Sequence, residues 1–534
     1  MKIKRLFLFI FLFLLLIFCF TYKHSKKSKY TRSYIIYNLG NFPESLDPHL
    51  FSETLAMQVD DMIYEGLLRE DQNGNLVGGV AEKWEEKEND LIFYLKKDVR
   101  WSDGSQITAY DFLYAFKRVL NPKTAATHAD MLFYIKNAEN FYKGSVSEKE
   151  LGIKVIDEKT LIITLEKPTP FFKYILTLPI SMPLKKSFFE EKIGSFALDI
   201  NSFLYNGPYK IKTLKNGSEI FLEKNPYYWN EKQIKIPEIK IVTYSDYASL
   251  NSLIENNEID MTRIDTESLE KYKKANTVDT FMNGRVWFIE FNLKDKYLKN
   301  KNLRKAITIG IDREKYVEKI KNDGSIVSKS IIGYNIKGYD KTFREENPDT
   351  EYFENNNLNE AKKYYNKALK ELNVEKLSLT LLAGNSSTEI KEIQFLQEEL
   401  RTKLDIEVKV EIVAFKDRLF RTRKGDFEMV LSTWSPKYND PYTYLSKWYE
   451  KNDSSFDESF SIKYDDLIQT ALNEKNLKLR MEILAKAEKL LISEAIISPL
   501  YFSAENHYRR NDISGIIRKP IGGITSFYYA YLKQ

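Results

Sequence analysis

A chain of 534 residues is too long for one ordinary domain and implies roughly three or four units, and its 43% hydrophobic content can fill real cores. The formal charge of +5 arises at the start: residues 1–32 hold eight of the 81 Lys and Arg and no acid, leaving 73 basic against 76 acidic residues, a body of net −3. Such a body lacks the basic footprint that a phosphate backbone requires, which argues against nucleic acid as a partner.

Lys2, Lys4 and Arg5 precede an unbroken apolar stretch from Leu6 to Phe20, the pattern of a secretion signal. The stretch is short for a membrane span, which needs about 20 residues, although about 17 can serve. Cys19, the only cysteine, resembles the lipid-attachment site of bacterial lipoproteins, except that Phe18 stands where that pattern has Gly or Ala. Residues 1–22 are therefore a signal peptide or a membrane or lipid anchor, with lipidation, an uncleaved anchor and cleavage nearby all open. In each case the body lies in the periplasm or on the outer face of the cytoplasmic membrane. Residues 23–32 form a basic tether suited to anionic headgroups. The body has no cysteine, hence no disulfide and no thiolate metal site, and a large core must hold it together.

Ile35–Asn38 is a short apolar strand, followed by an irregular stretch between Pro43 and His49. Glu53 to Leu68 has helical spacing and ends in a polar turn at residues 71–75. Leu91–Leu95 and Leu161–Leu165 read as strands, and Ala109–Val119 as a helix stopped by Asn121-Pro122. Asn206-Gly207-Pro208 is a turn before the strand Tyr209–Thr213, which pairs with Ile220–Glu223 across Asn216-Gly217. From residue 291 helix and strand alternate. Helices are expected at Leu303–Ile309, Leu358–Leu372, Glu389–Lys403, Tyr464–Leu472 and Leu477–Ile492, and strands at Leu377–Leu382, Ile406–Val413 and Phe427–Ser432. This rhythm indicates an α/β unit.

The easy catalytic patterns are missing. The four histidines, His24, His49, His128 and His507, have no metal-ligand spacing, and no P-loop, G-x-G-x-x-G or G-x-S-x-G occurs. Adjacent acids such as Asp60-Asp61 and Asp465-Asp466 do not face each other on a helix and read as solvated faces rather than acid–base dyads. The sequence calls for no cofactor, no metal and no enzyme chemistry.

Several segments, taken in order, carry a resemblance. They are Tyr64-Glu65-Gly66-Leu67-Leu68, Gly79-Val80-Ala81-Glu82-Lys83-Trp84, Trp101-Ser102-Asp103-Gly104 and Thr108-Ala109-Tyr110-Asp111-Phe112 with Arg118. Further on come Asn206-Gly207-Pro208-Tyr209, Lys224-Asn225-Pro226-Tyr227-Tyr228-Trp229, Glu258-Ile259-Asp260, Leu303-Arg304-Lys305-Ala306 with Asp312-Arg313, and Trp434-Ser435-Pro436-Lys437-Tyr438-Asn439-Asp440-Pro441. Together they resemble the oligopeptide-binding proteins of ABC importers, the family-five solute-binding proteins. Trp84, Trp101, Gly104 and Trp229 are expected to build turns and core rather than touch a ligand.

The resemblance implies an α/β, two-lobed periplasmic-binding-protein-like fold (type II) with an additional domain inserted in the first lobe. Lobe I would comprise residues 33–64, 186–290 and 505–534, the additional domain 65–185, and lobe II 291–504. It implies a monomer that captures an extended oligopeptide between hinged lobes and hands it to permease and ATPase subunits. Ser52-Glu53-Thr54 and Thr433-Trp434-Ser435 would pair with the peptide backbone. His128, Trp434 and Ser503 would fall at side-chain pockets, and Tyr438, Asn439 and Asp440 would follow in the same motif, with Asp440 read as structural. Lys437 falls where the family has the aspartate that pairs with the peptide α-ammonium, which leaves the ligand class open. A modified peptide, a sugar or a metal chelate, and a surface receptor that senses without importing, remain alternatives.

Overall fold

The computed structural model describes residues 32–449 and 458–533, so the apolar leader, Cys19 and residues 23–31 of the basic stretch lie outside the described residues. Arg32 is described, and it is not tether. Its guanidinium pairs at 2.6 Å with the buried Asp260 and so belongs to the folded body, because Asp260 offers a carboxylate that Arg510 shares at 2.7 Å.

The chain opens with β1 (Ile35–Asn38), buried along its whole length, and the helix Thr54–Ile63. That helix is shorter than its spacing predicts. Asn206 intercepts the backbone just beyond it, accepting the Glu65 N–H at 3.1 Å and donating to the Glu65 carbonyl at 2.7 Å, while Gly207 N–H bonds Ile63 O. The chain therefore leaves the helix extended at Tyr64 and enters the hairpin of β2 (Leu68–Glu70) and β3 (Leu76–Gly78). Asp60 on this helix is not solvated as expected. It is fully buried with neither carboxylate oxygen hydrogen-bonded, and burial, then Asp47 and Asp61, push its pKa well up. By contrast Asp466 is exposed and Asp465 half-buried.

β4 (Ala81–Lys87), β5 (Asp90–Leu95), β6 (Ile153–Asp157) and β7 (Thr160–Thr164) form an antiparallel sheet of order β4-β5-β7-β6. Alternation along β5 buries Leu91, Phe93 and Leu95. The helix Ala109–Val119 packs Phe112 and Phe116 into the same core and starts at a Thr108–Asp111 capping box. Trp101 is buried, Trp84 and Trp229 pack half-buried, and Gly104 holds a left-handed turn at φ +84°.

Among the described residues the largest sheet has eleven strands. β8 (Tyr209–Lys215) and β9 (Glu219–Lys224) make the expected hairpin, and β10 (Glu238–Val242) and β11 (Met261–Arg263) flank β1 in parallel. After β12 (Val278–Phe291) and the short β13 (Ile326–Val327), a second parallel set comprises β14 (Ser378–Gly384), β15 (Glu407–Val413) and β16 (Met429–Trp434). Helices Ser387–Leu404 and Phe415–Lys424 cross over between them, as parallel pairing requires. β17 (Ile497–Arg509) completes the order β15-β14-β16-β12-β17-β11-β1-β10-β9-β8, with β13 on β17. Among the described residues, the β1 and β14 halves of this sheet are thus linked through two long strands, β12 and β17. Their antiparallel register breaks between Met282↔Ala504 and Val286↔Phe502.

Candidate ligand-binding cleft

The register break opens a cleft. Asn283, Gly284 and Arg285 form a bulge in β12, and Gly284 takes φ +79°, a conformation that favours glycine. A Cβ there would also come within 2.6 Å of Pro520 O and 2.8 Å of the Pro436 ring. Around this bulge lies a cavity of about 410 Å³, within the range of a small-molecule or short-peptide site.

Segments far apart in the chain contribute its walls. From the first segment come Ser52, Glu53 and Thr54; from the region around the four-stranded sheet, His128 and Met131; from the loop after β16, Ser435, Pro436 and Lys437. Ser52 and Glu53 precede the helix, with Glu53 extended at φ −144°, ψ 159°, whereas Thr54 is already helical. Ser52 donates to Glu44 and Glu53 accepts the Glu44 N–H, which fixes this lip of the cleft. His128 packs on Phe51 with ring centroids 4.7 Å apart; desolvation, then Lys437, lower its pKa, so it is neutral at pH 7.

The other expected residues divide between a side cavity and the interior. Thr433 and Trp434 extend β16 along β12, while β16 pairs with β14 only at Met429 and Val430. Beyond Val430 that second edge therefore carries no strand among the described residues. Trp434 donates to Thr443 O at 2.9 Å and lines a neighbouring cavity of about 260 Å³ with Tyr438 and Lys447. Met131 and Lys437 border both cavities. Tyr438 also stacks on Phe171 at 4.9 Å and is buried.

Asn439 and Asp440 do not reach either cavity. Asn439 bridges Glu70 and the Lys337 N–H, and Asp440 is clamped by the buried Arg480 through two bonds at 2.6 and 2.8 Å. Ser503 lies half-buried on β17 opposite the bulge and lines neither cavity. Lys437 stands at the rim, its ammonium 3.4 Å from Asp130, with both side chains more than a third exposed.

The sequence reading missed Arg263, Asn283, Arg285, Glu505 and His507, all of which line the cavity at the bulge. Burial opposes ionisation of Glu505, but bonds from His507 and Asn283 and the charge of Arg263 hold it down to about 2. His507 is lowered to about 4 by burial and then by Arg518, so it is neutral at pH 7. The one signal for this cluster is the Asn283-Gly284-Arg285 interruption of an otherwise strand-like run, a bulge signature. Among the described residues no cluster of three His, Cys, Asp or Glu could hold a metal ion.

Comparison with known proteins accords with this geometry. A family model described as Bacterial extracellular solute-binding proteins, family 5 Middle, matches residues 75–456. The Dipeptide-binding protein DppE of Bacillus subtilis is 28% identical over 503 residues, 93% of this chain and 92% of the relative. The substrate-binding domain of an oligopeptide ABC transporter from Bacillus anthracis superposes with a TM-score of 0.74 at 28% identity, covering 95% of this chain and 99% of that one. Listeria monocytogenes OppA bound to peptide gives 0.73 at 26% identity, covering 95% and 100%.

Proposed function

This chain belongs to the bacterial extracellular solute-binding proteins of family 5 and has their two-lobed type II binding-protein fold, and on that premise we propose that it captures oligopeptides and delivers them to an ABC permease driven by separate ATPase subunits. The observation that carries this reading is the cleft at the register break of β12 and β17, walled by segments far apart in the chain. An extended peptide entering there would find extended backbone at Glu53 and the open edge of β16 beyond Val430 leading to Ser435. Such pairing reads the ligand main chain and tolerates many sequences. The side cavity with Trp434 and Tyr438 would take one side chain.

In this reading lobe I comprises residues 33–64, 186–290 and 505–534, lobe II residues 291–504, and residues 65–185 form the additional domain. The two-strand connection is the hinge, and the ligand favours closure because it touches both sides. The protein does no catalysis itself. The N-terminal segment holds the monomeric body at the outer face of the membrane, through Cys19 or through the apolar stretch. Native mass spectrometry of the purified protein tests the main claim. Co-purifying oligopeptides are the expected result; a non-peptide solute in the cleft, with no binding from a peptide library, overturns it.

A further inference from the structure

Arg285 is the anomalous group in the cleft. The bulge aims it: its N–H donates to Asn283 Oδ1 at 2.9 Å, and Tyr444 holds the preceding Gly284 carbonyl at 2.5 Å. Its Nε donates to Ser435 Oγ at 3.0 Å, and no carboxylate lies within 4 Å of the guanidinium among the described residues. The side chain opens into the cleft, yet the walls displace much of the surrounding water, and that desolvation lowers its pKa. Glu505 opposes that lowering from a distance and Arg263 adds to it, so the exposed guanidinium has an acid in its neighbourhood but no carboxylate in contact.

The acids of the cleft do not fill this gap. Glu505 is occupied by Asn283 at 2.9 Å and by Arg263 at 3.9 Å, and Glu53 is turned to the Glu44 N–H at 2.8 Å. Lys437 adds a second cation whose contact with Asp130 is long and solvent-screened. His128 and His507 are neutral at pH 7. The charged groups lining the cavity are therefore Arg263, Arg285 and Lys437 against Glu53 and Glu505, with Asp130 beside Lys437 just outside it, and Arg285 is the lining cation with no carboxylate in contact.

We propose that the cleft selects carboxylate-bearing peptides, with one ligand carboxylate taken by Arg285 beside Ser435 and the Lys437 ammonium at the same rim. With Nε committed to Ser435, the two terminal nitrogens of Arg285 remain to receive a carboxylate in the paired geometry that guanidinium groups favour. The carboxylate belongs either to an Asp or Glu side chain or to the peptide C-terminus. This inference rests on the peptide-binding reading; a side-chain carboxylate would narrow it to acidic peptides, whereas a C-terminal one would require only an unblocked C-terminus.

Calorimetry on the full chain in detergent tests it with N-acetylated alanine hexapeptide amides carrying one Glu at each position in turn, each against its Gln counterpart. A further arm compares the all-alanine acid with its amide. The expected result is a preference of about tenfold or more for the carboxylate form at one position or at the C-terminus, as loss of a charge-assisted pair requires. That preference should weaken as salt is raised, vanish in Arg285→Gln and return in part in Arg285→Lys. The Glu-against-Gln comparison on the unmutated protein needs no variant to fold. Equal affinities throughout, or a preference that survives Arg285→Gln in a folded variant, overturn the inference while peptide binding stands. Failure of every peptide, charged or neutral, overturns the peptide reading and the inference with it.

Discussion

At the scale of single residues, buried charge separates structural groups from those free to meet a ligand. Asp440 falls within the motif that includes Lys437, yet its side chain is 5% exposed and its partner Arg480 1%. Removing the carboxylate would leave a buried guanidinium uncompensated, so Asp440→Asn should destabilise the protein by about 3–5 kcal/mol. Chemical denaturation checks this, and a loss below about 1 kcal/mol would place the pair among weak surface bridges. Asp60 presents the opposite case. Its folded pKa is raised by burial above 3.8, so the folded state holds a proton that the unfolded state releases. The stability this group contributes is complete below pH 3.8 and is lost as pH rises towards the folded value. Asp60→Asn should therefore leave the melting temperature unchanged near pH 3 and raise it progressively above that. A stabilisation independent of pH would show that the effect is not protonic.

At the scale of elements, the helices and strands that the sequence marks are those whose pattern is local. Ala109–Val119 and Leu358–Leu372 match their predicted bounds because caps and apolar spacing agree. β12 and β17 were not legible. Gly284 and Arg285 interrupt one, and Pro499 with the polar run Glu505-Asn506-His507 disguises the other. Both are strands because neighbouring strands supply partners over most of their length, including β16 and β11. The bulge is the most exacting point of the pair. Gly284→Ala should cost about 1–3 kcal/mol for the backbone conformation alone, and more where the Cβ meets Pro520 and Pro436. Because Arg285 follows directly, the same change should weaken ligand binding. Unaltered stability and affinity in that variant would mean that the bulge does not fix the cleft.

At the scale of the whole molecule, two halves of one sheet joined by two strands form a structure that can bend where the register breaks. Away from those strands, Phe171 packs on the buried Tyr438 and Tyr442, and Asn439 bonds Glu70, while Lys437 and Asp130 make only a long exposed contact at the rim. Small-angle scattering should give a smaller radius of gyration with bound peptide than without, since a ligand touching both walls favours closure. An unchanged radius at proven saturation would rule out hinge trapping. The sequence by itself determined the local elements, the absence of familiar catalytic motifs and, through many short segments in order, the family. Those features depend on neighbours along the chain or on residue identity. Only the tertiary structure decided that Asp440 is clamped in the interior, that Asp60 is buried, and that Arg285 faces the cleft without a carboxylate. Burial and charge pairing are set by residues dozens to hundreds of positions away, and no local pattern encodes them.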